Sequence, residues 1–124
     1  MPRPGPTDTA LPLALESRGD WTVATLTEAS MMDVGLIESL HAKVLELAGD
    51  GAKNLALDFS RVEYVSSSMF GVLVASREAI GKGGGRLVLC ALNERLAKLL
   101  KLARLDQLFE CVASVDEVAP SSKS

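Results

Sequence analysis

At 124 residues and a net charge of −3, the chain is long enough for one domain with its own core, and its scattered basic residues give no nucleic-acid footprint. Hydrophobic residues make up 48% of the chain and aromatics only 4%, so the core has to be built from Leu, Val and Ala. The opening run Met1-Pro2-Arg3-Pro4-Gly5-Pro6-Thr7-Asp8-Thr9 lacks the apolar stretch of a signal peptide, and no window reaches the length of a membrane span, so the expectation is a cytoplasmic protein without membrane insertion.

In chain order, the Pro-rich residues 1–9 are expected to be disordered, residues 10–119 to form the domain, and residues 120–124 to be a disordered tail. Leu11 to Glu16 reads as a first strand. Trp21 to Leu26 alternates at period two, with Trp21, Val23 and Thr25 on one face. Ser30-Met31-Met32-Asp33 has the character of a helix entry with a capping box. The helix that follows, Asp33 to Ala48, carries the apolar stripe Leu36, Leu40, Val44 and Leu47, and Gly49-Asp50-Gly51 ends it.

Asn54 to Phe59 reads as a buried strand and Val62 to Val65 as a short extended piece. A second helix runs from Ser68 to Gly81, with Phe70, Leu73, Ser76, Arg77 and Ile80 at helical spacing. Gly81-Lys82-Gly83-Gly84-Gly85 suits a left-handed C-cap, and Arg86 to Cys90 is the next strand. Asn93 caps a third helix whose buried face is Leu96, Leu99, Leu100 and Ala103. Phe109 to Ala113 is a last strand, and Ser114-Val115-Asp116-Glu117 is a second capping box opening a final helical turn. Strands alternating with helices predict a mostly parallel sheet, and the two adjacent opening strands predict a mixed edge.

The junction Tyr64-Val65-Ser66-Ser67-Ser68-Met69-Phe70-Gly71 places three hydroxyls where a strand yields to a helix. A helix N-terminus presents unpaired N–H groups and the positive end of the dipole. One serine there acts as a cap, or the turn accepts an anion such as a phosphate added to a serine.

Other motifs point away from catalysis. The glycine run closes a helix and opens a strand, the reverse of a phosphate loop, and no Ser or Thr follows Lys82 in the required position. None of the three serines has the flanking glycines of a nucleophile elbow. The single histidine, His41, lies upstream on the first helix and reads as structural or surface. Asp58 ends a strand. Cys90 and Cys111 lie in apolar strand runs without metal-ligand spacing and read as buried, reduced thiols.

These residues resemble the STAS domain, the module of bacterial anti-sigma factor antagonists. The resemblance rests on Leu57-Asp58-Phe59-Ser60, on Ser66-Ser67-Ser68-Met69-Phe70-Gly71-Val72-Leu73, on Gly84-Gly85-Arg86-Leu87-Val88-Leu89, and on Leu105-Asp106-Gln107-Leu108-Phe109. It implies an α/β, STAS-like fold: a mixed, mostly parallel sheet of four or five strands with helices largely on one face. It implies a non-enzymatic regulatory module with no cofactor and no metal, existing as a monomer or weak dimer. Its partners would be an anti-sigma factor that is also a serine kinase, and a phosphatase.

The resemblance implies that phosphorylation would fall on Ser67, with Ser66 and Ser68 as alternatives, and that Ser66, Ser67, Ser68 and Met69 would form the partner-binding stretch. The chain departs from the family pattern twice, with Ser66 where the family has Asp and Met69 where it has Gly. Residue 69 is expected in right-handed helical geometry with its side chain on or beside the partner-facing surface, against a competing place in the core. Two other STAS roles remain open: an accessory subunit of an ABC transporter, such as a lipid-trafficking system, and a scaffold domain of a signalling assembly.

Overall fold

The computed structural model describes residues 13–51 and 54–119; the expected disordered ends, 1–9 and 120–124, lie outside them. The elements are β1 (Leu13–Arg18), β2 (Trp21–Leu26), β3 (Ser30–Met31), α1 (Val34–Gly49), β4 (Asn54–Asp58), β5 (Tyr64–Val65), α2 (Ser67–Lys82), β6 (Leu87–Cys90), α3 (Glu94–Leu102), β7 (Glu110–Val112) and a 3₁₀ turn at Val115–Glu117. Five strands form one sheet in the order β1-β2-β4-β6-β7. β1 pairs antiparallel to β2, and the remaining neighbours are parallel. The fold is therefore the expected α/β one, with a mixed and mostly parallel sheet.

Period-two alternation explains the two sides of the sheet. Ala24 and Leu26, Leu55 and Leu57, and Leu87 and Leu89 join one cluster with the buried residues of the three helices, Ile37, Leu40 and Val44, Met69, Leu73 and Ile80, and Leu96 and Leu100. The intervening Val23, Ala56, Val88 and Cys90 face the other way and are covered by Val115, Val118 and Ala119. The central strands are thus buried on both faces, as parallel strands require. Arg18 ties the covering segment down. Its Nη1 donates to Ala119 O at 2.9 Å and to Asp116 Oδ1 at 3.0 Å, and its Nε donates to Glu16 Oε2 at 3.0 Å.

Helix ends follow capping chemistry. Asp33 Oδ1 accepts from Leu36 N at 3.1 Å, and Asn93 Oδ1 accepts from Leu96 N at 2.8 Å. The glycine run after α2 is a Schellman ending: Gly85 N donates to Ile80 O at 3.1 Å, Gly84 N donates to Gly81 O at 2.9 Å, and Gly84 has φ +84°.

Several expectations are corrected. The first strand runs on to Arg18 because the turn to β2 is made by Gly19, at φ +63°, and Asp20; Leu11 lies outside the described residues. Ser30-Met31 is a strand rather than a helix entry, and Asp33 alone caps α1. Met31 is fully buried, which holds its backbone extended against the core. Cys90 is buried, but Cys111 is exposed because β7 is an edge strand. Both thiols are free. Ala103 follows the end of α3 and is exposed, and Ser114 makes no side-chain cap to the 3₁₀ turn.

Burial pushes the Cys90 thiol up from 9.0 to about 12, helped by the negative charge of Asp58. The fold therefore holds the proton more tightly than the unfolded chain. Its contribution to stability is complete below about pH 9 and is lost as pH rises toward 12. Denaturant unfolding of the protein and of Cys90→Ala across this range should show the steeper alkaline loss in the protein that retains the thiol.

Candidate functional site

The serine junction is set by backbone hydrogen bonds before any side chain acts. β3 and β5 form a two-residue parallel ladder, Ser30 opposite Tyr64 and Met31 opposite Val65. Ala29 O accepts from Glu63 N at 2.7 Å and from Tyr64 N at 3.1 Å, and Met31 O accepts from Ser66 N at 3.1 Å. On the other side Asn93 Nδ2 donates to Val62 O at 3.3 Å, so the residue that caps α3 also holds the approach to α2. The chain leaves this frame at Ser66, in extended geometry at φ −91° and ψ 166°, and is helical from Ser67.

The three serines are then not equivalent. Ser66 is the N-cap residue, yet its hydroxyl makes no cap hydrogen bond, and its Oγ is buried with no partner. Its carbonyl accepts from Met69 N at 3.0 Å. Ser67 and Ser68 are exposed on the first turn. No acidic side chain lies in that turn, so nothing within it offsets the positive end of α2.

Met69 is in helical geometry as expected, but its side chain is 0% exposed and belongs to the core cluster. The expectation of a partner-facing Met69 is corrected. The buried stripe of α2 is Met69, Leu73, Ser76 and Ile80, and Phe70 beside it is half-buried. The surface of the first turns is instead Ser67, Ser68 and Gly71. An added Cβ at Gly71 would meet nothing within 4 Å. The sequence signal for Gly71 is its place in mid-helix, where glycine costs about 1 kcal/mol relative to alanine. Alongside, Met32 and Val34 are exposed at the entry to α1, next to the Met31 that pairs with β5.

Asp58 does end β4 and takes no part at the serines. It lies on the sheet face away from the helices, where Oδ1 accepts from Ser60 N at 2.9 Å and Oδ2 accepts from Thr25 Oγ1 at 3.4 Å. Glu63 is exposed and His41 half-buried on α1. Among the described residues no three His, Cys, Asp or Glu side chains are grouped to hold a metal ion, and no helix is long and apolar enough to cross a membrane.

The arrangement is a pair of exposed serines at a helix start on an α/β frame. Residues 14–118 match the STAS domain family, and the chain belongs to that family. Among solved structures it is similar to an anti-sigma-factor antagonist (STAS) domain protein from Planctomyces limnophilus, with a TM-score of 0.74, 18% identity, and coverage of 86% of this chain and 94% of the other. It is similar to an anti-sigma factor antagonist from Mycobacterium paratuberculosis, with a TM-score of 0.74, 22% identity, and coverage of 85% and 87%. It is also similar to the Bacillus anti-sigma factor antagonist SpoIIAA in its unphosphorylated form, with a TM-score of 0.73, 21% identity, and coverage of 85% and 90%.

A buried thioether that anchors a first turn has a measurable cost of removal. Met69→Ala should lower unfolding stability by about 2–3 kcal/mol. Gly71→Ala should raise it by up to about 1 kcal/mol, because helix propensity improves and nothing clashes. Denaturant melts of the two variants should move in opposite directions.

Proposed function

We propose that this STAS domain is an anti-sigma factor antagonist-like binding module, switched by phosphorylation of Ser67. The observation that carries the reading is the exposure of Ser67 as the first helical residue, between a buried hydroxyl at Ser66 and a buried side chain at Met69. A kinase can reach Ser67 without unfolding the turn. Ser66 has its Oγ in the interior and is a poor acceptor in this conformation. Ser68 is exposed as well and stays as the alternative acceptor. SpoIIAA, similar in fold, has been solved in unphosphorylated and phosphorylated forms.

The physics of the switch follows from the surface. The ridge of Ser67, Ser68 and Gly71 is small and polar, and Gly71 lets a partner backbone approach the helix closely. Met32, exposed and one residue beyond the Met31 that pairs with Val65, supplies apolar contact near it. A phosphate on Ser67 adds about −1.5 to −2 charge. Within the protein that charge meets the positive end of α2, so the fold tolerates it. Against a closely packed partner it must be desolvated, and the interface loses affinity. The partner is an anti-sigma factor that also acts as the serine kinase, with a phosphatase reversing the mark, and the module works in the cytoplasm.

Ser67→Asp should weaken binding to the cognate anti-sigma factor by about tenfold or more, while Ser67→Ala should bind like the unmodified protein and resist release by ATP. Calorimetry with the kinase, together with mass spectrometry of the 61–77 peptide after incubation with ATP, tests both halves. Equal affinities for the two variants would remove the switch and favour constitutive binding, as in a transporter accessory subunit or a scaffold. Phosphate on Ser68 would keep the mechanism and move the site.

A further inference from the structure

The basic residues are scattered over most of the chain, but four of the thirteen Lys and Arg residues fall within residues 95–104, with no carboxylate among them. Arg95, Lys98, Lys101 and Arg104 are all exposed. The ion pairs among the described residues involve Arg18, Lys43 and Arg86 and none of these four. Arg95, Lys98 and Leu102 repeat at helical spacing and form one ridge of α3. Leu102, 75% exposed, is the most exposed large hydrophobic residue described.

This ridge forms one wall of an open groove of about 710 Å³, whose other wall is Glu63 and Tyr64. Tyr64 is 46% exposed, and the Arg95 guanidinium carbon lies 4.6 Å from its ring centre. That stacking holds two long side chains in place before anything binds. α3 also ends on an unusual backbone. Arg104 occupies the left-handed position at φ +62°, with its N donating to Lys101 O at 3.0 Å and Leu105 N donating to Leu100 O at 2.9 Å. Glycine is the residue that suits this position. The chain carries a fourth cation there instead, at the cost of backbone strain.

We propose that the groove between α3 and the Glu63–Tyr64 segment is a second docking surface, taking an acidic segment of a partner protein whose apolar side chain packs against Leu102 and Tyr64. The charge complementarity is local: Arg95 and Lys98 of α3 line the groove, and Lys101 and Arg104 lie outside it further along the chain, on a protein of net charge −3. Duplex nucleic acid fits less well, since its regularly spaced phosphates would also meet Glu63 and Glu94 in the same groove, whereas a flexible peptide can set its carboxylates against Arg95 and Lys98. A membrane surface is a poorer match because the groove is concave and its apolar content is Leu99, Leu102 and Tyr64. An amphipathic peptide with acidic and leucine positions on one face satisfies both parts of the groove. The proposal does not depend on Ser67 being phosphorylated, and its test uses no kinase.

The probe is a short synthetic peptide with leucine at every fourth position and glutamate elsewhere, alongside its glutamine counterpart, titrated into the isotopically labelled full chain. Amide shifts should concentrate at residues 63–64 and 94–104. The double variant Arg95→Glu with Lys98→Glu, and separately the glutamine peptide, should weaken binding by at least about tenfold. Leu102→Ser should weaken it several-fold, while Lys82→Glu, a charge reversal elsewhere on the surface, should leave it unchanged. All substituted side chains are exposed, and circular dichroism confirms that the variants are folded. Absent shifts, shifts centred away from α3, or equal loss on Lys82→Glu would overturn the proposal. So would tighter binding, through the same residues, of phosphatidylserine vesicles or of duplex DNA.

Discussion

The two-residue ladder between β3 and β5 is the constraint from which the site follows. It adds little area, but it fixes the path of residues 63–66 through hydrogen bonds to Ala29 and Met31. The buried Met31 side chain anchors the ladder from below, and Asn93 holds the preceding turn at Val62. With the path fixed, α2 begins at Ser67. The burial of Met69 sets the rotation of its first turn about the helix axis. Which serine faces solvent is thus decided by backbone pairing and one thioether, not by any interaction of the hydroxyls themselves.

Most of the frame was legible because its periods are long enough to read. β2, β4 and β6 show alternation or unbroken apolar runs, and α1 and α3 show stripes close to those found buried. β3 was not legible, because two residues cannot display a period and Ser30-Met31 has the composition of a helix entry. Its strand character comes from a partner thirty-four residues later, Ser30 opposite Tyr64. Cys111 was misplaced because an apolar neighbourhood in sequence says nothing about whether a strand has a neighbour on both sides.

Met69 shows a different limit. Phe70, Leu73, Ser76, Arg77 and Ile80 stand at helical spacing in the sequence, and the buried stripe is Met69, Leu73, Ser76 and Ile80, with Met69 inside in place of Phe70 and Arg77. The two differ by a small rotation of the same helix. Periodicity identifies the helix but leaves that rotation open, and packing against the sheet and α1 chooses it. The chosen stripe admits a polar residue, Ser76, whose Oγ is buried without a partner. Seating Met69 inside therefore leaves a hydroxyl unpaired two turns further on. Removing the large side chain at position 69 would weaken the contact that selects this rotation, which connects the departure from glycine at this position to the placement of the serines.

The other departure, Ser66 in place of an acidic residue, bears on the energetics of a switch. A carboxylate at the cap would partly neutralise the positive end of α2 before any modification and would repel a phosphate on the next residue. Here the first turn holds no carboxylate, and the Ser66 hydroxyl makes no cap bond. A phosphate on Ser67 would then be the first anion to meet the helix dipole, a favourable placement within the folded chain. Its internal cost falls, so the penalty of the charge is concentrated in whatever surface must exclude water from it. The same absence removes a fixed negative mark that a kinase could read beside its target. The departure thus weakens one requirement of a phosphorylation switch, recognition, while it strengthens another, tolerance of the product by the fold.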